Sequence, residues 1–310
     1  MTNKNLSIVI PCFNEEETIM DTYKVLRKLI NNWDNLIEDY QIVIVNNGST
    51  DHTLQQALSL RKNDKKIKII DLRNNYGYQS SITAGLLNAD YDMIVSIDAD
   101  LQDDPSKIEE MINLHYEGYD MILGVRSNRK SDNFLKRISA NIFYKLMRFL
   151  GTDIISNHGD FRLLSKDLVK ELSKYGETNR FLRAMIMKLD NKYKTVTYER
   201  TKREKGVSKF GLSNLLSLSF DAVTSFSARP IRLIFLIGLL ISTFSFISIL
   251  IVIILYFFVD YVDGWASIAV LVLFFSGIQL ISIGIIGEYI SKTYLESKSR
   301  PLYHIRKIYK

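Results

Sequence analysis

The stretch Met93-Ile94-Val95-Ser96-Ile97-Asp98-Ala99-Asp100-Leu101-Gln102-Asp103 passes from a β-branched apolar run into a carboxylate-rich turn with no spacer. A short apolar run of this kind reads as a buried strand, so the carboxylates emerge at its C-terminal end, where open α/β sheets bind their ligands. If the backbone stays extended, Asp98 and Asp100 project to the same side, because strand side chains alternate with a period of two. Two carboxylates so placed suit a hard divalent cation, Mg²⁺ or Mn²⁺, whose other ligands would be water and a substrate diphosphate. A lone Asp-x-Asp also occurs by chance, as a solvated acidic turn ahead of the helix from Pro105. The flanking segments have to separate the two readings.

Outward from that stretch, strand, polar turn and helix recur. Leu6 to Ile10 is an apolar strand ended by Pro11, and Asn14 is predicted to cap a helix whose first turn holds Glu15, Glu16 and Glu17, favourable against the helix dipole. Ile19, Tyr23, Leu26 and Ile30 line one face of it. Gln41 to Val45 opens into Asn46-Asn47-Gly48-Ser49-Thr50-Asp51 and a helix from Leu54 to Leu60. Ile67 to Leu72 and Met121 to Leu123 continue the strands, with helices predicted at Gln79 to Leu87 and Ser106 to His115. The alternation predicts an α/β fold with a parallel sheet and right-handed crossovers, and the turns after strands one, two and four share one edge as a nucleotide pocket. No Gly-x-Gly-x-x-Gly or Gly-Lys-Ser/Thr motif occurs. Dinucleotide dehydrogenases and P-loop NTPases thereby lose their main support, and phosphate handling falls to metal and basic side chains.

The composition changes near residue 230. Leu233 to Val259 and Trp265 to Gly287 contain no Lys or Arg, and each exceeds the roughly 20 apolar residues that cross a bilayer as a helix. The loop Asp260-Tyr261-Val262-Asp263-Gly264 carries no basic residue, whereas Arg229, Arg232 and the segment from Lys292 to Lys310 are basic. The positive-inside rule then predicts two membrane spans with the N-terminal domain and both termini cytoplasmic and the short loop outside. Met1 to Asn5 leads straight into a strand with no signal-peptide pattern. The formal net charge of +6 among 310 residues sits largely beside the spans, which points to an anionic membrane surface and away from nucleic acid. Cys12 is the single cysteine, so no intrachain disulfide can form, and a thiol beside a strand end is ordinary packing.

Downstream, Arg126, Arg129, Lys136 and Arg137 cluster around a helix predicted from Phe134 to Leu150, and Arg200, Lys202, Arg203, Lys205 and Lys209 form a second cluster. Either is a phosphate-binding patch or a solvated charge run. Between them Gly159-Asp160-Phe161-Arg162-Leu163-Leu164 reads as a short polar turn, with Asp160 as its cap or as a reactive carboxylate. Gly211 to Phe226 fits an imperfect amphipathic helix for the membrane interface or for packing.

Several stretches resemble the dolichyl-phosphate mannose synthase and bactoprenol glucosyltransferase branch of family 2 glycosyltransferases. They are Ile10-Pro11-Cys12-Phe13-Asn14-Glu15, Asn47-Gly48-Ser49-Thr50-Asp51, Ile82-Thr83-Ala84-Gly85-Leu86, Asp98 to Asp103 and Gly159-Asp160-Phe161-Arg162-Leu163. Further on come Gly206-Val207-Ser208-Lys209-Phe210, Thr224-Ser225-Phe226-Ser227, Gly287-Glu288-Tyr289-Ile290 and Arg300-Pro301-Leu302-Tyr303. The resemblance implies a GT-A domain over 1–207, a juxtamembrane helix over 208–230, a transmembrane hairpin over 231–290 and a basic tail over 291–310. It further implies that Pro11, Asn14, Glu15, Asn47, Asp51, Asn75, Gly77, Asp98, Ala99 and Gln102 form the nucleotide-sugar site, and that Asp98 and Asp100 hold the metal. Asp160 and Asp100 are the implied catalytic carboxylates, and Arg126, Arg137, Ser139, Arg203, Lys205 and Lys209 the implied acceptor-phosphate site. Asn47 stands where many relatives carry Asp, and Asn74-Asn75-Tyr76-Gly77-Tyr78 departs from the commoner Arg-Asn-Phe-Gly-Lys/His.

The reaction implied is inverting transfer of a hexose, glucose or N-acetylglucosamine, from a UDP-sugar to undecaprenyl or another polyprenyl phosphate, for cell-envelope glycosylation. The same resemblance implies a homo-oligomer, a tetramer by analogy. A phosphate monoester, with a second pKa of about 6, is already largely dianionic at pH 7 and attacks without a strong base. Two other readings stay open on sequence alone: a processive polysaccharide synthase, although neither Trp33 nor Trp265 follows an Arg in the Gln-x-x-Arg-Trp manner of such enzymes, and a noncatalytic membrane scaffold that binds nucleotide-sugar.

Overall fold

The computed structural model describes residues 4–127, 155, 157–178, 180–201, 229–256 and 264–310. The expected helices at Phe134 to Leu150 and Gly211 to Phe226 lie outside those residues, as do Arg129, Arg137, Ser139, Arg203, Lys205 and Lys209.

The apolar runs become strands: β1 (Asn5–Cys12), β2 (Asp39–Asn46), β3 (Ile67–Leu72), β4 (Met93–Ser96) and β5 (Met121–Arg126). Helices α1 (Ile19–Ile30), α2 (Thr53–Asn63), α3 (Tyr78–Leu87) and α4 (Lys107–Tyr116) connect them. Nearly continuous burial along β1 to β4 is the signature of strands covered on both faces, where no polar alternation is needed. Then come β6 (His158–Ser165), α5 (Lys166–Ser173), the single turn α6 (Leu182–Met185) and β7 (Tyr193–Tyr198). With β8 (Ile305–Tyr309) the strands form one sheet of order β7-β5-β6-β4-β1-β2-β3-β8. β3, β2, β1 and β4 run parallel, whereas β6 is antiparallel to β4 and β5, and β8 antiparallel to β3. The sheet is therefore mostly parallel, as expected of a GT-A domain.

Four local expectations change. Asn14 does not cap a helix: its backbone is left-handed, with φ of 53°, and α1 begins only at Ile19. Gly159 to Leu164 is no polar turn but the centre of β6, whose eight residues are all buried. Its charges misled the reading because Asp160 and Arg162 pair with each other inside the sheet. The chain does not stay extended through Asp98 and Asp100: β4 ends at Ser96, the backbone turns at Ala99–Asp100, and Leu101 is left-handed. The end of the basic segment is not merely a tail, since β8 pairs with β3 from Leu72↔Ile305 to Ile69↔Tyr309.

The chain divides into two compact units. The first holds the sheet with Ser299–Lys310, and the second holds α7 (Arg229–Tyr256) and α8 (Trp265–Ser297). Large apolar side chains on these helices, among them Phe235, Leu240, Phe274 and Leu280, are exposed. Among the described residues one stretch, Phe274–Ser297, is long and apolar enough to cross a membrane.

Candidate active site

Parallel strands deliver their C-terminal turns to one edge, so the ends of β1, β2, β3 and β4 gather there. The β1 turn is tied to the β2 turn through Asn14. Its amide N–H donates to Ser49 Oγ at 3.1 Å, and its Oδ1 accepts from the Thr50 N–H at 2.8 Å. Glu15 N–H donates to Thr53 Oγ1 at 2.8 Å, and its carboxylate accepts from Thr18 Oγ1 at 3.0 Å. Asp51 accepts from the Thr53 hydroxyl at 2.6 Å, from the Thr53 N–H at 3.0 Å and from the Glu16 N–H at 3.2 Å. Burial works to raise the Asp51 carboxyl, but those donors outweigh it and hold it below the ordinary range. Pro11 is buried in β1 opposite Val45.

Asn47, only 3% exposed, fastens the β2 turn to the β3 turn. Its Nδ2 donates to Asn75 Oδ1 at 3.0 Å and to the Gly77 carbonyl at 3.2 Å, while its Oδ1 accepts from the Tyr76 N–H at 3.0 Å. Asn75 Oδ1 also accepts from the Gly77 N–H at 2.9 Å. Gly77 takes φ of +82° just before α3, a conformation that suits glycine. Gly48 is doubly constrained, with φ of +68° and a Cβ position 2.4 Å from the Asn74 carbonyl carbon. Asn47, Asn75 and Gly77 thus shape the wall of the site as a hydrogen-bonded unit.

At the end of β4, Tyr78 donates a hydrogen bond to Asp98 Oδ1. Burial, reinforced by the carboxylates of Asp103, Asp160 and Asp100 and opposed by the Tyr78 bond, pushes Asp98 up to about 7. Convergent negative charge with oxygen donors is a set that a hard cation fits. Among the described residues no three His, Cys, Asp or Glu side chains form a ready-made cage, so an ion here would take diphosphate and water as its other ligands. Asp100 Oδ1 accepts from the Gln102 N–H at 3.2 Å, shaping the turn. Ala99 is buried, and its carbonyl accepts from Thr22 Oγ1 at 2.7 Å. The Gln102 side chain accepts from Arg200 and donates to the Thr201 carbonyl, so in this state it faces the residues after β7.

The antiparallel sense of β6 brings its N-terminal end to the carboxyl end of β4, where Ser96 Oγ donates to the Asp160 carbonyl at 2.6 Å. Asp160 Oδ1 accepts from fully buried Arg162, and Oδ2 accepts from Arg183 Nη2 at 2.7 Å and Nε at 3.3 Å. Burial alone would raise this carboxyl, but the two guanidiniums hold it well below the usual range. Arg126 donates from Nε to Tyr198 Oη at 3.3 Å and pairs at 3.5 Å with Asp103, which also accepts from Tyr198 Oη at 2.6 Å. Tyr198, Arg183 and His158 are parts of this neighbourhood that sequence reasoning missed, while Asp103, the last carboxylate of the quoted turn, anchors Arg126 and Tyr198. The alternation of Asp160-Phe161-Arg162 along one strand was the available signal for a paired strand.

The architecture is GT-A-like, an α/β sheet with a carboxylate turn at its parallel edge. The chain belongs to glycosyl transferase family 2, whose model matches residues 7–173, and it is a glycosyltransferase. It is 38% identical over 305 residues to a bactoprenol glucosyl transferase of Shigella phage SfX, covering 97% of this chain and 98% of that one. It is 40% identical over 305 residues to the glycosyltransferase YkcC of Bacillus subtilis (strain 168), covering 98% and 94%. The structure of mannosyl-3-phosphoglycerate synthase from Rubrobacter xylanophilus matches with a TM-score of 0.51 over 74% of each chain at 16% identity, a likeness of fold.

Proposed function

We propose that this protein transfers a hexose, with inversion, from a UDP-sugar to a polyprenyl phosphate at a bacterial plasma membrane. The observation that carries the reading is the juxtaposition, at one sheet edge, of the carboxylates around Asp98 with the arginines around Asp160. Near-full-length similarity to a bactoprenol glucosyl transferase supports a polyprenyl phosphate acceptor, and glucose as the hexose. The exposed apolar helices α7 and α8 support two spans, because large exposed apolar surface suits a membrane or protein partner, and the basic flanks support a cytoplasmic side for both termini.

In this mechanism the turns held by Asn14, Asp51 and Asn47 receive the nucleoside. Asp98 and Asp100 would hold Mg²⁺ or Mn²⁺, which when bound supplies charge neutralisation to the departing diphosphate. Tyr78 fixes the Asp98 rotamer through its hydroxyl. The acceptor dianion needs no strong base, and Asp160, with both oxygens engaged by arginines, is suited to orienting them rather than to taking a proton. The remaining residues of the implied acceptor site, Arg137, Ser139, Arg203, Lys205 and Lys209, complete the proposal from sequence. Purified protein in bilayer vesicles, incubated with radiolabelled UDP-glucose and UDP-N-acetylglucosamine and with undecaprenyl phosphate, tests it. Label is expected in the lipid fraction from one donor, and its absence with every UDP-sugar would overturn the reading.

A further inference from the structure

Arg306 is the extra residue of a bulge in β8. Asp71 lies opposite Lys307 and Leu72 opposite Ile305, so the register slips by one residue and Arg306 stands opposite no residue of β3. Bulges of this kind re-aim a side chain. Here the forked guanidinium spans two acceptors: Nη1 pairs with Asp71 Oδ2 at 3.6 Å, and Nη2 donates to the Arg73 carbonyl at 3.0 Å. The Arg306 side chain is 54% exposed, but that of Asp71 only 2%. A buried carboxylate without a counter-charge is costly, which separates this pair from an ordinary surface ion pair.

Asp71 in turn reaches the turns of the nucleotide edge. Its Oδ1 accepts from Asn46 Nδ2 at 2.7 Å, Asn46 Oδ1 accepts from the Ser49 N–H at 3.3 Å, and Ser49 Oγ accepts from the Asn14 N–H. A second route runs through Arg73, whose N–H donates to the His304 carbonyl at 2.9 Å while Arg306 holds its own carbonyl. Asn74, the next residue, is where the chain touches Gly48. The His304 ring lies 6.0 Å from that of Tyr76, whose N–H donates to Asn47. The turns after β2 and β3 are thus joined through Asn47 and braced from the edge strand β8. We propose that Arg306 is a positioning residue for nucleotide binding, acting through Asp71 and Asn46 on the turn after β2 and through the Arg73 carbonyl on the turn after β3. This rests on the reading that these turns receive the nucleoside of the donor. It gives a role to the strand that follows Arg300-Pro301-Leu302-Tyr303, and makes donor binding depend on a segment that comes after α8 in the chain.

The test is calorimetric titration of UDP, with Mg²⁺ present, into the full-length protein in bilayer nanodiscs, alongside donor and acceptor kinetics. Arg306→Ala is expected to raise the UDP Kd and the donor KM roughly 5- to 10-fold, the worth of one half-exposed charge-assisted hydrogen bond, with the acceptor KM unchanged. Arg306→Lys, which keeps the charge but cannot span both acceptors, should lie between. If Arg306→Ala fails to fold, Arg306→Lys carries the same comparison, and a wild-type Kd there refutes the role. Asp71→Asn combined with Arg306→Ala should lose less than the sum of the two single losses, because both act along one route. Lys307→Ala removes a positive charge from the same strand, one that lies over the Tyr309 ring, and should leave UDP affinity unchanged. Unchanged UDP affinity in Arg306→Ala, an equal loss in Lys307→Ala, or equal losses toward donor and acceptor would each overturn the positioning role. A wild-type protein that binds no UDP removes the functional reading and the positioning role with it, whereas wild-type binding that Arg306→Ala leaves intact removes the positioning role alone.

Discussion

Gly85 lies in the last turn of α3, where propensity alone favours alanine by up to about 1 kcal/mol. Packing opposes that preference. A Cβ at Gly85 would stand 2.2 Å from Val9 Cγ1 and 3.0 Å from Val45 Cγ2, because the helix lies directly on β1 and β2. Carbon atoms are comfortable at roughly 3.5 to 4.0 Å, so Gly85→Ala requires α3 to lift, or Val9 to yield, by about 1.5 Å. Overpacking of that kind costs about 1–3 kcal/mol, and after the helical gain the net loss is about 0–2 kcal/mol. The displacement reaches the site, since α3 begins at Tyr78, whose hydroxyl bonds Asp98, and Gly77 bonds Asn47. A misplacement of about 1 Å can cost on the order of 100-fold in rate. Gly85→Ala should therefore lower both the thermal midpoint and turnover, and adding Val9→Ala should restore part of the midpoint by vacating the contested space. Thermal unfolding of the single and double variants with transfer assays decides the matter. A Gly85→Ala protein more stable than wild type would refute the reasoning, because propensity would then outweigh packing.

A chain ended at Ser225 loses β8, and with it the Arg73 N–H to His304 carbonyl bond of 2.9 Å and the Arg306–Asp71 pair at 3.6 Å. It should bind UDP more weakly in a calorimetric titration and self-associate through the opened β3 edge in size-exclusion runs. Asn47→Asp replaces a buried double donor by a carboxylate facing Asn75 Oδ1 and the Gly77 carbonyl. A loss of about 1–3 kcal/mol is expected at neutral pH. The new carboxyl would have a raised folded pKa, so the loss is full above that raised value and eases as pH falls from it to the ordinary carboxylate range, which unfolding curves at pH 4 and pH 7 would show. Asp100→Ala, or chelation by EDTA, should abolish transfer while the circular dichroism of the domain stays unchanged; full activity in either would remove the metal from the mechanism.

The apolar runs at Leu6–Ile10, Gln41–Val45, Ile67–Leu72 and Met93–Ile97 were legible because strands buried on both faces must be continuously apolar, whatever their neighbours. The carboxylate turn was legible for the same reason, since parallel strands deliver their C-terminal loops to a common edge. The sequence by itself also determined the two long C-terminal helices, by sheer apolar length. Tertiary structure alone decided the place of β6, because a buried Asp160 and Arg162 look polar until each is seen to neutralise the other across one strand. It decided β8 too: a segment with Arg306 and Lys307 becomes a strand only by pairing with β3, more than two hundred residues earlier. Arg183 was invisible for a related reason. A single arginine in a short helical turn has no local pattern, and only the fold sets it against the buried carboxylate that aims it.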